Sequence, residues 1–486
     1  MKSFEYYLNK IGEIGYVERV TKGVVGISGL PTAEAEEVIL FESGQTGQIL
    51  FLHSDIIEVL LFDEVPVKSG TRAVRTGERL SIPVGGQYLG HLINPLCQAL
   101  NQTDPIKKLG ETRFLNTDPP RINERSPVLK QLETGVILVD VLIPLGHGQR
   151  ELIIGDRKTG KTTFLLHTMV NQARMGSVCI WAVIGKKRSE VKQIEEFFAN
   201  NKVLDKIIIM ASSADDATGL IYLTPYSAVT MAEYFRDLGQ NVLVVLDDLT
   251  IHAKFYRELS LLSERFPGRE SYPVDIFFTH AALLERGGNF IVKNGTASIT
   301  ILPAAEVSEE DLSGYIQTNL MSMTDGHLYF DKDSFSKGRR PAINPFLSVT
   351  RVGRQTQTPL LRELSRVLMS FLVEYQKVSG FVHFGAELTE ETKRTLTKGE
   401  KTLEFFNLNS DSPTPVNVGI FLLGLLWSDY QKEVQKETME GEWRETIDKY
   451  INDKNFRGEI DSLIEKSKNI QELKEKAVIF TDRYKV

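Results

Sequence analysis

The chain has 486 residues, 42% hydrophobic and 25% charged, a globular mix too long for one ordinary core, so about two to four domains are expected. Its 57 basic and 64 acidic side chains leave a formal charge of −7, which gives no overall electrostatic pull toward nucleic acid. With only Cys97 and Cys179, a disulfide framework is excluded and a reducing compartment is favoured.

The N-terminal stretch MKSFEYYLNKIGEIGYVERV lacks the apolar core of a signal peptide. After it, the runs YVERV, GVVGIS, EEVILF and GQILFL alternate with Gly-rich turns, the pattern of a small β-sandwich or barrel over residues 1–79. The segments IPVGGQYLGHLINP and LNTDPPRINERSPV read as connections. From about Val136, the apolar runs ELIIG, VCIWAVIG, DKIIIMA, NVLVVLD and ASITILPA are separated by helical stretches. Buried strands alternating with helices predict a mostly parallel sheet in an α/β domain, residues 80–357. Beyond about Gln357 the period is helical, which predicts a C-terminal helical bundle over 358–486. The greasiest run, GIFLLGLLW from Gly419 to Trp427, is about half the length of a membrane span and reads as a buried helix. Any membrane association is therefore expected through partners.

GDRKTGKTT, Gly155 to Thr163, fits the pattern G-x-x-x-x-G-K-[ST] between a strand, ELIIG, and a helix, TTFLLHTMV. The context is that of a phosphate-binding loop. Gly155, Asp156, Arg157, Lys158, Thr159 and Gly160 offer backbone N–H groups to phosphate oxygens, and the helix N-terminus adds positive partial charge. Lys161 is placed to reach the β- and γ-phosphates of ATP or ADP, and Thr162, beside Thr163, to ligate Mg²⁺. NVLVVLDDLT supplies an acid at the end of a buried strand. Asp247 is expected to hold Mg²⁺ through water; the plainer alternative is a strand end with a helix-capping aspartate. The eight histidines show no metal-ligand spacing, and His280 and His383 read as structural.

These residues carry a resemblance. The stretches IPLGHGQRELIIGDRKTGKT, TPYSAVTMAEYFRD, VLDDLTIHAKFYRELSLL, PGRESYPVDIFFTHAALLERG, SMTDGHLYF and GRRPAINPFLSVTRVG closely resemble the alpha subunits of F-type ATP synthases, from about Gly15 to the C-terminal helices. The resemblance implies an N-terminal β-barrel, a RecA-like P-loop domain and a helical bundle. It also implies three such chains alternating with three beta subunits around a central-stalk gamma subunit, at the cytoplasmic face of a bacterial plasma membrane. Catalytic relatives place a glutamate on the strand after the phosphate-loop helix to orient the attacking water, and alpha subunits usually place a glutamine there. Here the position is Lys186, a charged donor with no lone pair to accept a proton. The site is expected to be noncatalytic, with Lys186 either on phosphate oxygens or solvated. By the SVTRVG match, Arg351 is the arginine finger that completes the neighbouring beta site, and Arg340 and Pro341 line the base pocket.

The chain departs from the family pattern at several points. Lys158 stands where the loop usually has glutamine, and His91 where arginine is usual. Leu408 and Ser410 replace the glutamines that contact adenine. Only a short segment precedes the first strand, so the contact with the delta subunit and peripheral stalk is expected to be altered. Rival readings are a homohexameric export-type ATPase, which would need its own glutamate, an RNA-translocating helicase, and a structural ring subunit with a decayed nucleotide site.

Overall fold

The computed structural model describes every residue except 1, 64, 102–105, 107–109, 308–309, 383–388, 408–412, 429–435 and 485–486. The chain divides into two compact units. One comprises Met1–Ser126, Gly176–Val307 and Asp311–Thr324, the other Pro127–Met175, Ser308–Glu310 and Asp325–Val486.

The first unit begins with a closed antiparallel barrel of six strands: β1 (Gly15–Thr21), β2 (Val24–Ser28), β3 (Glu37–Phe41), β4 (Thr46–Leu52), β5 (Ile57–Leu61) and β6 (Arg72–Arg79), in the order β1-β2-β5-β4-β3-β6. Closure removes the unpaired strand edges of so small a sheet. Val17, Ile27, Ile39, Phe41, Ile49 and Val59 fill the interior. The charged run RAVRTGER gives no strand signal, yet it forms β6, because buried Arg75 pairs through Nε with Glu37 Oε2 at 2.9 Å. Ahead of β1, the helix Phe4–Ile11 is capped by Ser3 and lays Tyr7 against Leu40 and Val74 of the barrel.

The same unit holds a parallel sheet in the order Gly295–Glu306, Val242–Asp247, Val178–Lys186, Ile207–Ser213, Leu92–Ile93, with Gly288–Val292 antiparallel on the first strand. Its inner strands are buried along nearly their whole length, which is why they read as continuous apolar runs. The edge strand Leu92–Ile93 falls in a segment that reads as irregular, since two residues give no period. Helices Arg188–Asn200, Thr218–Asp237 and Leu249–Leu262 pack on this sheet.

In the second unit Glu151–Gly155 runs parallel to Gly326–Phe330, which pairs antiparallel with Val349–Thr350. The helix Lys161–Arg174 follows the first of these strands. Among the described residues its C-terminal part is built of helices, Pro359–Val382, Glu390–Asn407, Val416–Leu426, Lys436–Asn452, Lys454–Glu465 and Ile470–Tyr484. The run GIFLLGLLW is a buried helix as expected: in Val416–Leu426 only Asn417 is not fully buried, and its amide donates to Asp461 Oδ1 at 2.8 Å. Among the described residues no helix is long and apolar enough to cross a membrane. The expected architecture of barrel, mostly parallel α/β domain and helical region is the one observed.

Candidate functional site

The phosphate loop lies in the second unit. Its strand, Glu151–Gly155, is wholly buried and ends where Gly155 faces Phe330 on the next strand. A Cβ at Gly155 would lie 2.3 Å from the Phe330 carbonyl oxygen, so this position admits only glycine. The loop is braced from within: Thr159 Oγ1 donates to Asp156 O at 2.8 Å, and Asp156 Oδ2 accepts from the Glu310 N–H at 3.2 Å. Lys158 (φ +60°) and Gly160 (φ +99°) adopt left-handed backbone, which turns the chain into the helix Lys161–Arg174. That helix has no side-chain cap, and the positive partial charge of its N-terminus favours an anion. Arg157, Lys158, Thr162 and Thr163 are exposed, whereas Thr159 and Lys161 are buried. Lys161 Nζ donates to the carbonyls of Gly155 and Asp156, each at 2.7 Å.

A cavity of about 310 Å³ in the same unit is lined by, among others, Asp333, Lys337, Arg339, Pro341, Tyr375 and Phe406. Of the two residues expected in a base pocket, Pro341 lines it. Arg340 does not: its guanidinium donates to the carbonyls of Phe335 (2.9 Å) and Arg339 (2.7 Å) and stacks 3.5 Å from the Phe335 ring centroid. Arg339 takes the lining position instead. Leu408, Ser410 and His383 lie outside the described residues.

Arg351 is exposed and begins the turn after the short strand Val349–Thr350. Its backbone N–H donates to Asp325 O at 2.9 Å. The Asp325 carboxylate in turn accepts from Arg150: Oδ2 from the backbone N–H (2.9 Å) and Nε (3.1 Å), Oδ1 from Nη2 (2.8 Å). Thr350 Oγ1 donates to Pro144 O at 3.0 Å and accepts from the Gly353 N–H and from Gln149 Nε2. A Cβ at Gly353 would fall 1.6 Å from Pro144 O, so the glycine of TRVG is sterically required. The arginine thus leaves a fixed backbone. Sequence reasoning missed Arg150, Asp325 and Thr350, although all three sit in the blocks that carry the family resemblance.

Asp247 and Lys186 lie in the first unit and meet there. Their strands are neighbours, with Val183 opposite Asp247. Past Val183 the strand shifts register, and Gly185 turns at φ +59°. Gly185 backs onto Ile221, Ile251 and Phe255, each within 3.0 to 3.3 Å of where a Cβ would stand. Lys186 Nζ then lies 2.5 Å from Asp247 Oδ2, with the two side chains 12% and 4% exposed. Asp248 does something separate: it caps the helix Leu249–Leu262, accepting from the Ile251 N–H at 2.7 Å. Burial works to lower the Lys186 pKa, but the Asp247 carboxylate, aided by Asp248 and Glu190, outweighs it and raises the pKa, which keeps the ammonium charged. Burial, then the Asp247 charge, pushes Asp248 up to about 7.

For Mg²⁺ the residues fit only in part. Thr162 presents an exposed hydroxyl, but Asp247, the other expected ligand, already carries an ammonium on its buried carboxylate. Of the expectation that Lys186 is either solvated or on phosphate, the solvated half is corrected, since its side chain is only 12% exposed and pairs with Asp247.

Comparison with known proteins gives one consistent result. A family model described as the ATP synthase alpha/beta family, nucleotide-binding domain, matches residues 135–350. A second, described as the ATP synthase alpha/beta chain, C terminal domain, matches residues 357–480. The chain is 39% identical to the ATP synthase subunit alpha of Limosilactobacillus fermentum over 425 residues, covering 87% of this chain and 83% of that protein.

Proposed function

The chain belongs to the ATP synthase alpha/beta family as an alpha-type subunit, and from that premise we propose that it is a noncatalytic nucleotide-binding member of the ring. It holds ATP or ADP through Gly155 to Thr163, with Pro341 and Arg339 beside the base. Arg351 acts on the phosphates of the neighbouring beta subunit's nucleotide. A guanidinium is always charged and presents a planar fork to phosphate oxygens. Provided in trans, such a group is worth about 10³ to 10⁵ in rate. Mg²⁺, where bound, neutralises charge between phosphate oxygens, and Thr162 is the residue of this chain best placed to ligate it.

The observation that carries the noncatalytic reading is the Lys186–Asp247 pair. Water attack on a γ-phosphate needs an acceptor to orient the water, and a charged ammonium has no lone pair to offer. Coupling to proton or sodium movement, contacts with the beta, gamma and peripheral-stalk subunits, and the division into 1–79, 80–357 and 358–486 follow from the same reading. The test is Mg-ATP turnover of the chain alone and mixed with its beta subunit. Silence alone and activity in the mixture, abolished by Arg351→Ala, is the expected result. Motor-like turnover by the chain alone would instead identify a homohexameric ATPase.

A further inference from the structure

Glu151 opens the strand that ends in the phosphate loop, and its side chain is fully buried. Burial, with a contribution from Asp325, outweighs the Gln149 hydrogen bond and the Arg351 charge and holds its carboxyl well above the usual carboxylate range, which favours the neutral acid. An apolar side chain would fill the same space without the cost of burying a carboxyl. Oε1 has no hydrogen-bond partner among the described residues, so the acid is used through Oε2, which accepts from Gln149 Nε2 at 2.6 Å.

That bond leads to the arginine turn. Gln149 Nε2 also donates to Thr350 Oγ1 at 3.1 Å, and Gln149 Oε1 accepts from the Gly146 N–H at 2.8 Å, so the amide is fully used. Thr350 Oγ1 donates to Pro144 O and accepts from the Gly353 N–H, each at 3.0 Å. Thr350 and Gly353 bracket Arg351 in the chain. The path crosses three strands in register, since Glu151 pairs with Gly326 and Gly326 with Thr350. A Cβ at Gly326 would stand 2.7 and 2.8 Å from the two Glu151 carboxyl oxygens, so the glycine of the middle strand leaves the space that the acid fills.

We propose that Glu151 is a positioning residue for Arg351: it fixes the Gln149 amide, and through it the Thr350 hydroxyl that holds the arginine turn. The proposal rests on the reading that Arg351 acts on the beta subunit's nucleotide, and goes beyond it by naming the buried group that keeps the arginine aimed.

The experiment is steady-state Mg-ATP turnover of the full chain mixed with its beta subunit, with a thermal melt of every variant. Glu151→Met fills the volume but offers the amide no acceptor, and kcat is expected to fall about tenfold or more with KM held within about twofold. Glu151→Gln keeps the shape and an acceptor oxygen, and is expected to restore kcat to within about threefold of the unaltered chain. Thr350→Val breaks the other end of the path and should cost as much as Glu151→Met, while the two together cost no more than either alone. Folded Glu151→Met with unchanged kcat overturns the proposal, as does an equal loss in Glu151→Gln or full additivity with Thr350→Val. Should Glu151→Met not fold, Gln149→Met breaks the same path one bond further on, and unchanged kcat there overturns the proposal equally. Full turnover in Arg351→Ala sinks the reading of Arg351 itself, an outcome separate from all of these.

Discussion

Asp325→Ala separates what holds the Arg351 loop from what the loop does. The carboxylate takes three hydrogen bonds from Arg150, two of them from the guanidinium, and the two side chains are 22% and 19% exposed. Hydrogen bonds to charged groups are worth about 1.5–3 kcal/mol, less where water screens them, so a loss of about 1–2 kcal/mol of stability is expected. The functional effect is larger than that number suggests. Alanine keeps the main-chain carbonyl of residue 325 that accepts from the Arg351 N–H at 2.9 Å, but it releases that backbone from Arg150, and a shift of about 1 Å in a positioned group costs on the order of 10²-fold in rate. Thr350, bonded to Pro144 and Gln149, still restrains the loop, so the expected fall in kcat of the mixed ring is about 10- to 100-fold. KM should hold, because Arg351 acts on the transition state. Turnover of the ring with its beta subunit, beside a urea melt of the isolated chain, measures both. In an Arg351→Ala background, Asp325→Ala should cost no further activity, since both act through one group. A melt shifted as expected with unchanged turnover would refute the positioning argument, as would full additivity of the two variants.

Gly155→Ala drives a methyl into the Phe330 carbonyl. It should cost about 1–3 kcal/mol and reduce ATP affinity by more than tenfold, read by melting and calorimetry. Arg286 is 2% exposed and bonds Glu233 twice, Thr230 Oγ1 and Leu115 O. Arg286→Met leaves Glu233 buried and unpaired and should lose about 3–5 kcal/mol in urea unfolding, most of it regained in Arg286→Met/Glu233→Leu. His252 is buried, with Nε2 donating to Tyr222 O and Nδ1 accepting from His280 Nε2, each at 3.1 Å, and burial pushes its pKa down to about 4. Between pH 6.5 and 4 the unfolded chain takes up a proton that the folded chain refuses, so stability falls as the pH drops. The loss from His252 at pH 5 is about 2 kcal/mol. His252→Gln should flatten the slope of unfolding free energy between pH 7 and 5, and an unchanged slope would show that His252 is not its source.

The elements most legible in the sequence are those whose order is local. The strand Val242–Asp247 announces itself as an apolar run, and the phosphate loop lies within a dozen residues between its own strand and helix. What stayed hidden depends on partners distant in sequence. Arg75 and Glu37 make a barrel strand of a run that looks like a loop, because each removes the cost of burying the other. Asp325 carries no signal of its own in the sequence, and its partner Arg150 lies 175 positions away. Lys186 shows the limit most clearly. Its residue type was enough to argue against catalysis, since no ammonium orients water. The sequence left it on phosphate or in solvent. The solvated reading fails, because two neighbouring parallel strands place Lys186 and Asp247 together. An unpaired carboxylate and an unpaired ammonium at that depth would each be costly. Pairing them satisfies both, so a lysine whose residue type suggests solvent is held inside by a carboxylate on the next strand.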